Sequence, residues 1–168
     1  MNQFKKISAG ILIATIFIAG CKKETGPLSD IRPVTPVTVN NAVAYRPEPT
    51  VGVSRSIVVS PGVVGPIEVV LSIPASSLRS ISAITRVVAS TNYAQIQNSD
   101  TTGIYRSTPI VGSGKTVTFK TTLTEYTAKT GQAIPASNTE LVRRFYFLVT
   151  LDDNSTIVTE AVRVLVLD

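Results

Sequence analysis

Histidine and tryptophan are both absent from this 168-residue chain, and cysteine and methionine occur once each. Without histidine, the chain has no zinc site of the His–Cys kind and no Ser-His-Asp or Cys-His catalytic set. Any enzymatic chemistry would fall to carboxylates, lysine or tyrosine. One cysteine, Cys21, allows no disulfide within the chain, so folding rests on burial of Val, Ile, Leu and Phe. Charge is sparse as well. Charged residues make up 16% of the chain, with 16 Lys and Arg against 11 Asp and Glu. The basic excess is mild and spread along the chain, whereas a nucleic-acid interface needs clustered basic residues on one face. We therefore expect no nucleic-acid partner.

What is present begins at the N-terminus. Lys5 and Lys6 precede residues 7–20, ISAGILIATIFIAG, an uncharged run of fourteen. A membrane-spanning helix needs roughly 20 apolar residues, so this length fits the apolar core of a signal peptide. Ile18-Ala19-Gly20 then places small residues directly before Cys21. That arrangement resembles the lipobox of bacterial lipoproteins. The resemblance implies cleavage between Gly20 and Cys21, a diacylglycerol on the sulfur and an acyl chain on the new amine. Loss of Lys5 and Lys6 with the signal would leave 14 basic and 11 acidic residues, a net charge of +3.

The remainder divides into a tether over 21–38 and a domain over 39–168. Residues 22–38 carry Pro27, Pro33 and Pro36, which favour extended, semi-rigid chain. From Val39 onward the chain reads as short β-branched runs separated by turns. Pro66–Ile73 alternates, with Ile67, Val69, Leu71 and Ile73 on one face. Thr116–Glu125 puts Val117, Phe119 and Leu123 on one face, and Val142–Leu151 does the same with Phe145, Phe147, Val149 and Leu151. Asp152-Asp153-Asn154-Ser155 is turn chemistry, and Thr156–Leu167 returns as a strand with Val158, Val162, Val164 and Val166 together. Weaker strands are expected at Val39–Arg46, Arg55–Ser60, Ile84–Ala89, Tyr93–Gln97 and Gly103–Arg106. No long segment holds a 3.6-residue period. About seven such strands predict an all-β fold, an immunoglobulin-like β-sandwich.

Few motifs carry chemistry. Gly112-Ser113-Gly114-Lys115-Thr116 ends like a phosphate loop, but Pro109 stands where the first glycine belongs and a strand follows where a helix should. Asp152, Asp153 and Asn154 supply too few oxygens for calcium. The acids Glu48, Glu68, Asp100, Glu125, Glu140 and Glu160 are scattered singly, and nothing pairs them for hydrolysis. No catalytic residue, metal site or cofactor is expected. Tyr93 and Tyr105, with Arg106, fall in the polar 91–115 region and are expected to form a ligand-facing loop. Asp100-Thr101-Thr102 resembles an O-glycosylation signal of secreted Bacteroidetes-type proteins, which makes Thr101 the acceptor.

Cys21-Lys22-Lys23-Glu24, the Pro-rich tether and the β domain together resemble a Bacteroidetes-type outer-membrane lipoprotein. The run from Phe145 to Val164 is similar to the closing hairpin of small immunoglobulin-like domains that accompany starch-utilisation-type glycan importers and adhesins. The resemblance implies a non-enzymatic binding or accessory module at the cell envelope, held in the membrane through Cys21. Its partners would be glycans or other outer-membrane proteins. The alternative is a pilin-like or adhesin subunit that assembles by strand addition. A third expectation, a carboxylate-dependent hydrolase, requires two acids at one cleft.

Overall fold

The computed structural model describes residues 35–45, 47–97 and 103–168. The signal segment 1–20, Gly20, Cys21, most of the tether and Thr101 lie outside the described residues. The described chain belongs to one compact unit, Val34–Asp168. This unit starts a few residues before the expected boundary at Val39. Thr35 is buried, and Val37 packs against the core.

Two long antiparallel pairings form the frame. Strand β6 (Pro66–Ser72) lies between β1 (Thr38–Val39) and β10 (Thr116–Thr122), with Val69 opposite Phe119. In the facing sheet, β12 (Arg144–Leu151) pairs along its length with β7 (Ile81–Ser90). β13 (Thr156–Val158) flanks β12, while β8 (Ile104–Arg106) and β9 (Ile110–Val111) share the far edge of β7. A third path runs through β11 (Thr139–Glu140), β14 (Arg163–Val166), β3 (Pro49–Val53) and β2 (Ala44–Tyr45). There β14 runs parallel to β3. The fold is an all-β sandwich.

The alternation read along the chain places the core. Ile67, Val69, Leu71, Val117 and Phe119 point inward from one sheet, and Ile84, Val87, Phe145, Phe147 and Val149 from the other. Phe119, Phe145 and Phe147 stack at its centre, with ring centroids 5.3–6.4 Å apart. Because successive strand residues face opposite ways, Tyr146 lies on the outer face of the β7–β12 sheet. It is nonetheless buried, under the one-turn helix α1 (Ala94–Gln97), in a second small cluster with Val88 and Ile96.

Several local expectations differ from this structure. Tyr93–Gln97 is not a strand, since it turns into α1. Val39–Arg46 divides, with β1 and β2 in separate sheets. Arg55–Ser60 contributes only β4 (Val58–Ser60), paired with β5 (Val63–Val64) in a two-stranded ribbon outside the main sheets. The last strand also breaks. After β13 the regular ladder with β12 ends: Thr159 still donates its N–H to the Phe147 carbonyl at 3.0 Å, and Val162 then bridges Phe145. Val158 therefore packs with the outer cluster while Val162, Val164 and Val166 fill the core. Finally, the strand expected over Thr116–Glu125 stops at Thr122, whose hydroxyl accepts from the Glu125 N–H at 3.0 Å. That cap starts helix α2 (Leu123–Thr130), which Gly131 ends in the left-handed region with φ 69°. Tyr126 thus belongs to a helix, with its ring in the core.

Candidate functional site

Strand β8 and helix α2 meet at a cleft of about 310 Å³ lined by Ile104, Tyr105, Arg106, Ser107, Thr108 and Lys129. The edge of β7 makes this opening. Its neighbouring strand is interrupted between β8 and β9, and Pro109 in the gap has no N–H to donate. Ser107 and Thr108 are therefore free of the ladder and exposed at the rim.

Tyr105 forms the floor, not the wall. Alternation along β8 turns its ring inward, where it is 4% exposed and meets Phe119 and Phe145 edge-on. The expected ligand-facing ring is therefore turned inward by hydrophobic packing, although Tyr105 is one of the residues that line the cleft. Its hydroxyl shares a 2.6 Å hydrogen bond with Thr121 Oγ1. A closed circuit follows. Thr121 donates to Glu125 Oε2 at 2.8 Å, and Glu125 Oε1 pairs with Lys129 Nζ at 2.8 Å. Lys129 in turn donates to the Tyr105 carbonyl at 2.9 Å and sits 4.6 Å from the centroid of its ring. Glu125 and Lys129 stand four residues apart on α2, so helical spacing alone brings their side chains together.

The electrostatics follow from this packing. Burial pushes the Tyr105 phenol up to about 12, only partly offset by its hydrogen bond with Thr121. Burial also raises Tyr126, whose hydroxyl accepts from the Arg143 N–H. At Glu125 burial pulls upward but loses to the hydrogen bonds from Lys129 and Thr121 and to the nearby charge of Arg106, and the carboxyl sits below its usual range. Glu125 consequently adds stability above its ordinary value, lost as pH falls through the depressed one. For Tyr105 the sign is reversed. The folded form keeps a proton that the unfolded form releases near pH 10, so stability is full below that value and declines as pH rises toward about 12. A 295 nm titration of the wild type minus Tyr105→Phe is expected to show no phenolate before pH 11, unless unfolding comes first. A difference signal centred near pH 10 in folded protein would contradict the buried phenol.

Arg106 is the cleft's available cation. Neighbouring Tyr105 faces inward, so Arg106 faces out and is exposed. Its hydrogen bond among the described residues runs from Nε to the Thr108 carbonyl at 3.4 Å, and it has no carboxylate partner there. Tyr93 does not join it. The Tyr93 ring, 44% exposed, lies edge-on against Tyr146 with centroids 5.9 Å apart on the outer sheet face. Of the three residues expected together, Tyr105 and Arg106 line the cleft and Tyr93 lies elsewhere, while Lys129 and Thr108 were missed. The Glu125–Lys129 spacing was a visible signal, masked by reading the segment as strand.

Other singled-out residues serve the frame. Lys115 of the glycine-rich loop donates to the carbonyls of Ser77, at 2.8 Å, and of Arg79. The loop is a tight connection from β9 to β10, in which Ser113 bridges Thr116. Asp153 accepts from the backbone and hydroxyl of Ser155 and pairs with Arg79 at 2.8 Å. Asn154 takes φ 64°, as its place in the turn requires. Glu48 and Glu140 come close only through Arg163, which holds them at 2.8 and 3.0 Å. Arg144 adds a further contact to Glu48 at 3.2 Å. This network ties β12 and β14 to the segment before β3. No cluster of metal-ligating residues occurs among the described residues, and no described helix is long and apolar enough to cross a membrane.

The cleft's place in the fold follows from strand register. Thr38 enters opposite Ser72, at the end of the sandwich where Asp152 accepts from the N–H of Ser80. Helix α2 lies at the other end, where Thr122 pairs with Pro66. The α2 wall of the cleft is therefore remote from the point of chain entry. Comparison with protein-family models, with curated proteins and with solved structures finds no match to the chain.

Proposed function

We propose that the chain is a lipid-anchored envelope protein whose sandwich acts as a non-enzymatic binding module, contacting glycan through the cleft between β8 and α2. The anchor reading is supported by Lys5-Lys6, the apolar run 7–20 and Ile18-Ala19-Gly20 before Cys21. Two acyl chains or more would provide retention, each buried methylene adding about 0.8 kcal/mol.

The observation that carries the binding reading is the division of labour at the cleft. Lys129, Glu125, Thr121 and Tyr105 satisfy one another, which holds the floor rigid. Arg106, Ser107 and Thr108 keep donors at an open rim. A pre-formed polar cleft with few fixed groups suits recognition. Glu125, held ionised by two donors, is poorly placed as a general acid. Full-length lipidated protein in detergent, printed against a glycan array, is expected to retain a restricted glycan set and to cleave none of it. An array without any retained glycan would count against this function. For the anchor, Cys21→Ala is expected to abolish palmitate labelling and membrane retention, and unchanged retention would remove it.

A further inference from the structure

We infer that the cleft selects a saccharide carrying a carboxylate, with Arg106 as its anchor. This rests on the binding reading above and names its ligand class. Charge points the same way. Arg106 and Lys129 bring two cations to the lining, and the nearby carboxylate, Glu125, is turned toward Lys129 and Thr121. Lys129 has its donors directed at Glu125 and the Tyr105 carbonyl and over the Tyr105 ring, so it contributes field more than contact. Arg106 keeps its terminal nitrogens free of carboxylates among the described residues. Its planar fork matches a carboxylate with two parallel hydrogen bonds.

The rest of the lining favours sugar over peptide. Ser107 and Thr108 offer hydroxyls that both donate and accept, matching the hydroxyls of a pyranose ring. A volume of about 310 Å³ holds one or two ring units. A peptide would be expected to extend β8 by strand addition, but Pro109 removes a donor and the edge breaks before β9. The large aromatic ring of the lining, Tyr105, is committed to the core and is not offered as an apolar anchor point.

Titration calorimetry on the full-length protein in detergent tests this with four probes. They are trigalacturonate, its methyl ester, triglutamate and inorganic sulfate. Trigalacturonate is expected to bind, with the methyl ester about tenfold weaker or more because the charge-assisted pair is lost. Arg106→Gln is expected to weaken trigalacturonate by a similar factor and Arg106→Lys nearly as much. Lys120→Gln, at an exposed lysine of β10, should leave it unchanged. Equal binding of acid and ester overturns the carboxylate anchor while leaving a glycan module standing. Triglutamate or sulfate binding as tightly as trigalacturonate overturns the saccharide class. Binding of none of the four, with an empty glycan array, overturns both readings.

Discussion

Phe145→Ala is expected to lower the free energy of unfolding by about 3–5 kcal/mol, the range for emptying a buried phenylalanine site. Phe145 has no exposed surface. Its ring lies 5.1 Å from that of Tyr105, 5.4 Å from Phe119 and 6.1 Å from Tyr126. These neighbours come from β8, β10 and α2, and each is fixed by its own element, so the void cannot collapse cheaply. Against a total near 5–15 kcal/mol for a domain, the loss is a large fraction. Urea unfolding should show a lower midpoint with an unchanged slope. Val111→Ala, at a side chain 82% exposed, should shift the midpoint very little. A Phe145→Ala cost below about 1 kcal/mol would mean that this aromatic cluster is not the centre of the core. Because the ring supports Tyr105 from below, the same variant should loosen the cleft floor.

Gly65→Ala is the second large effect, expected at about 2–5 kcal/mol. Two costs combine at this residue. Its φ is +66°, a left-handed backbone that costs an L residue roughly 1–2 kcal/mol. A Cβ there would also stand 2.3 Å from Leu123 Cδ1. Leu123 is fully buried at the start of α2 and cannot swing into solvent, and overpacking of this kind adds about 1–3 kcal/mol. The backbone has little slack, since Gly65 accepts from the Leu123 N–H at 2.8 Å and donates to the Ile57 carbonyl at 2.9 Å. Gly62→Ala separates the two terms. Gly62 has φ +77° but nothing within 4 Å of the added carbon, so it should show the backbone cost alone. In a Leu123→Ala background, Gly65→Ala should fall toward the Gly62 value, a coupling expected of residues in contact. Equal costs at Gly62 and Gly65 in the wild type would remove the steric argument.

Legibility in the sequence followed the range of the interaction. Period-two alternation is local, so the inward faces of β6, β10 and β12 were readable residue by residue. Phe119, Phe145 and Phe147 stand where the pattern puts them. The turn at 152–155 was equally plain, because Asp and Asn stabilise turns through their own backbone. Helix α2 was not. Its eight residues complete little more than two turns, and Leu123 continues the strand's inward alternation closely enough to hide the change of period. The capping Thr122 with Glu125 three residues on was the available signal.

Absent histidine, a single cysteine, the alternating faces and a β-rich sandwich order are determined by the sequence itself, because each depends on composition or on neighbours a few residues away. Burial of Tyr105, release of Ser107 and Thr108 from the ladder, and assembly of Arg106 with Lys129 at one cleft were decided only in three dimensions. They depend on which edge of β7 the 104–111 segment covers and on where α2 returns. Both are set by contacts between residues 16 to 24 positions apart, such as Tyr105 with Thr121 and with Lys129. A side chain's facing is a local property of its strand, whereas what it faces is fixed by how distant segments pack.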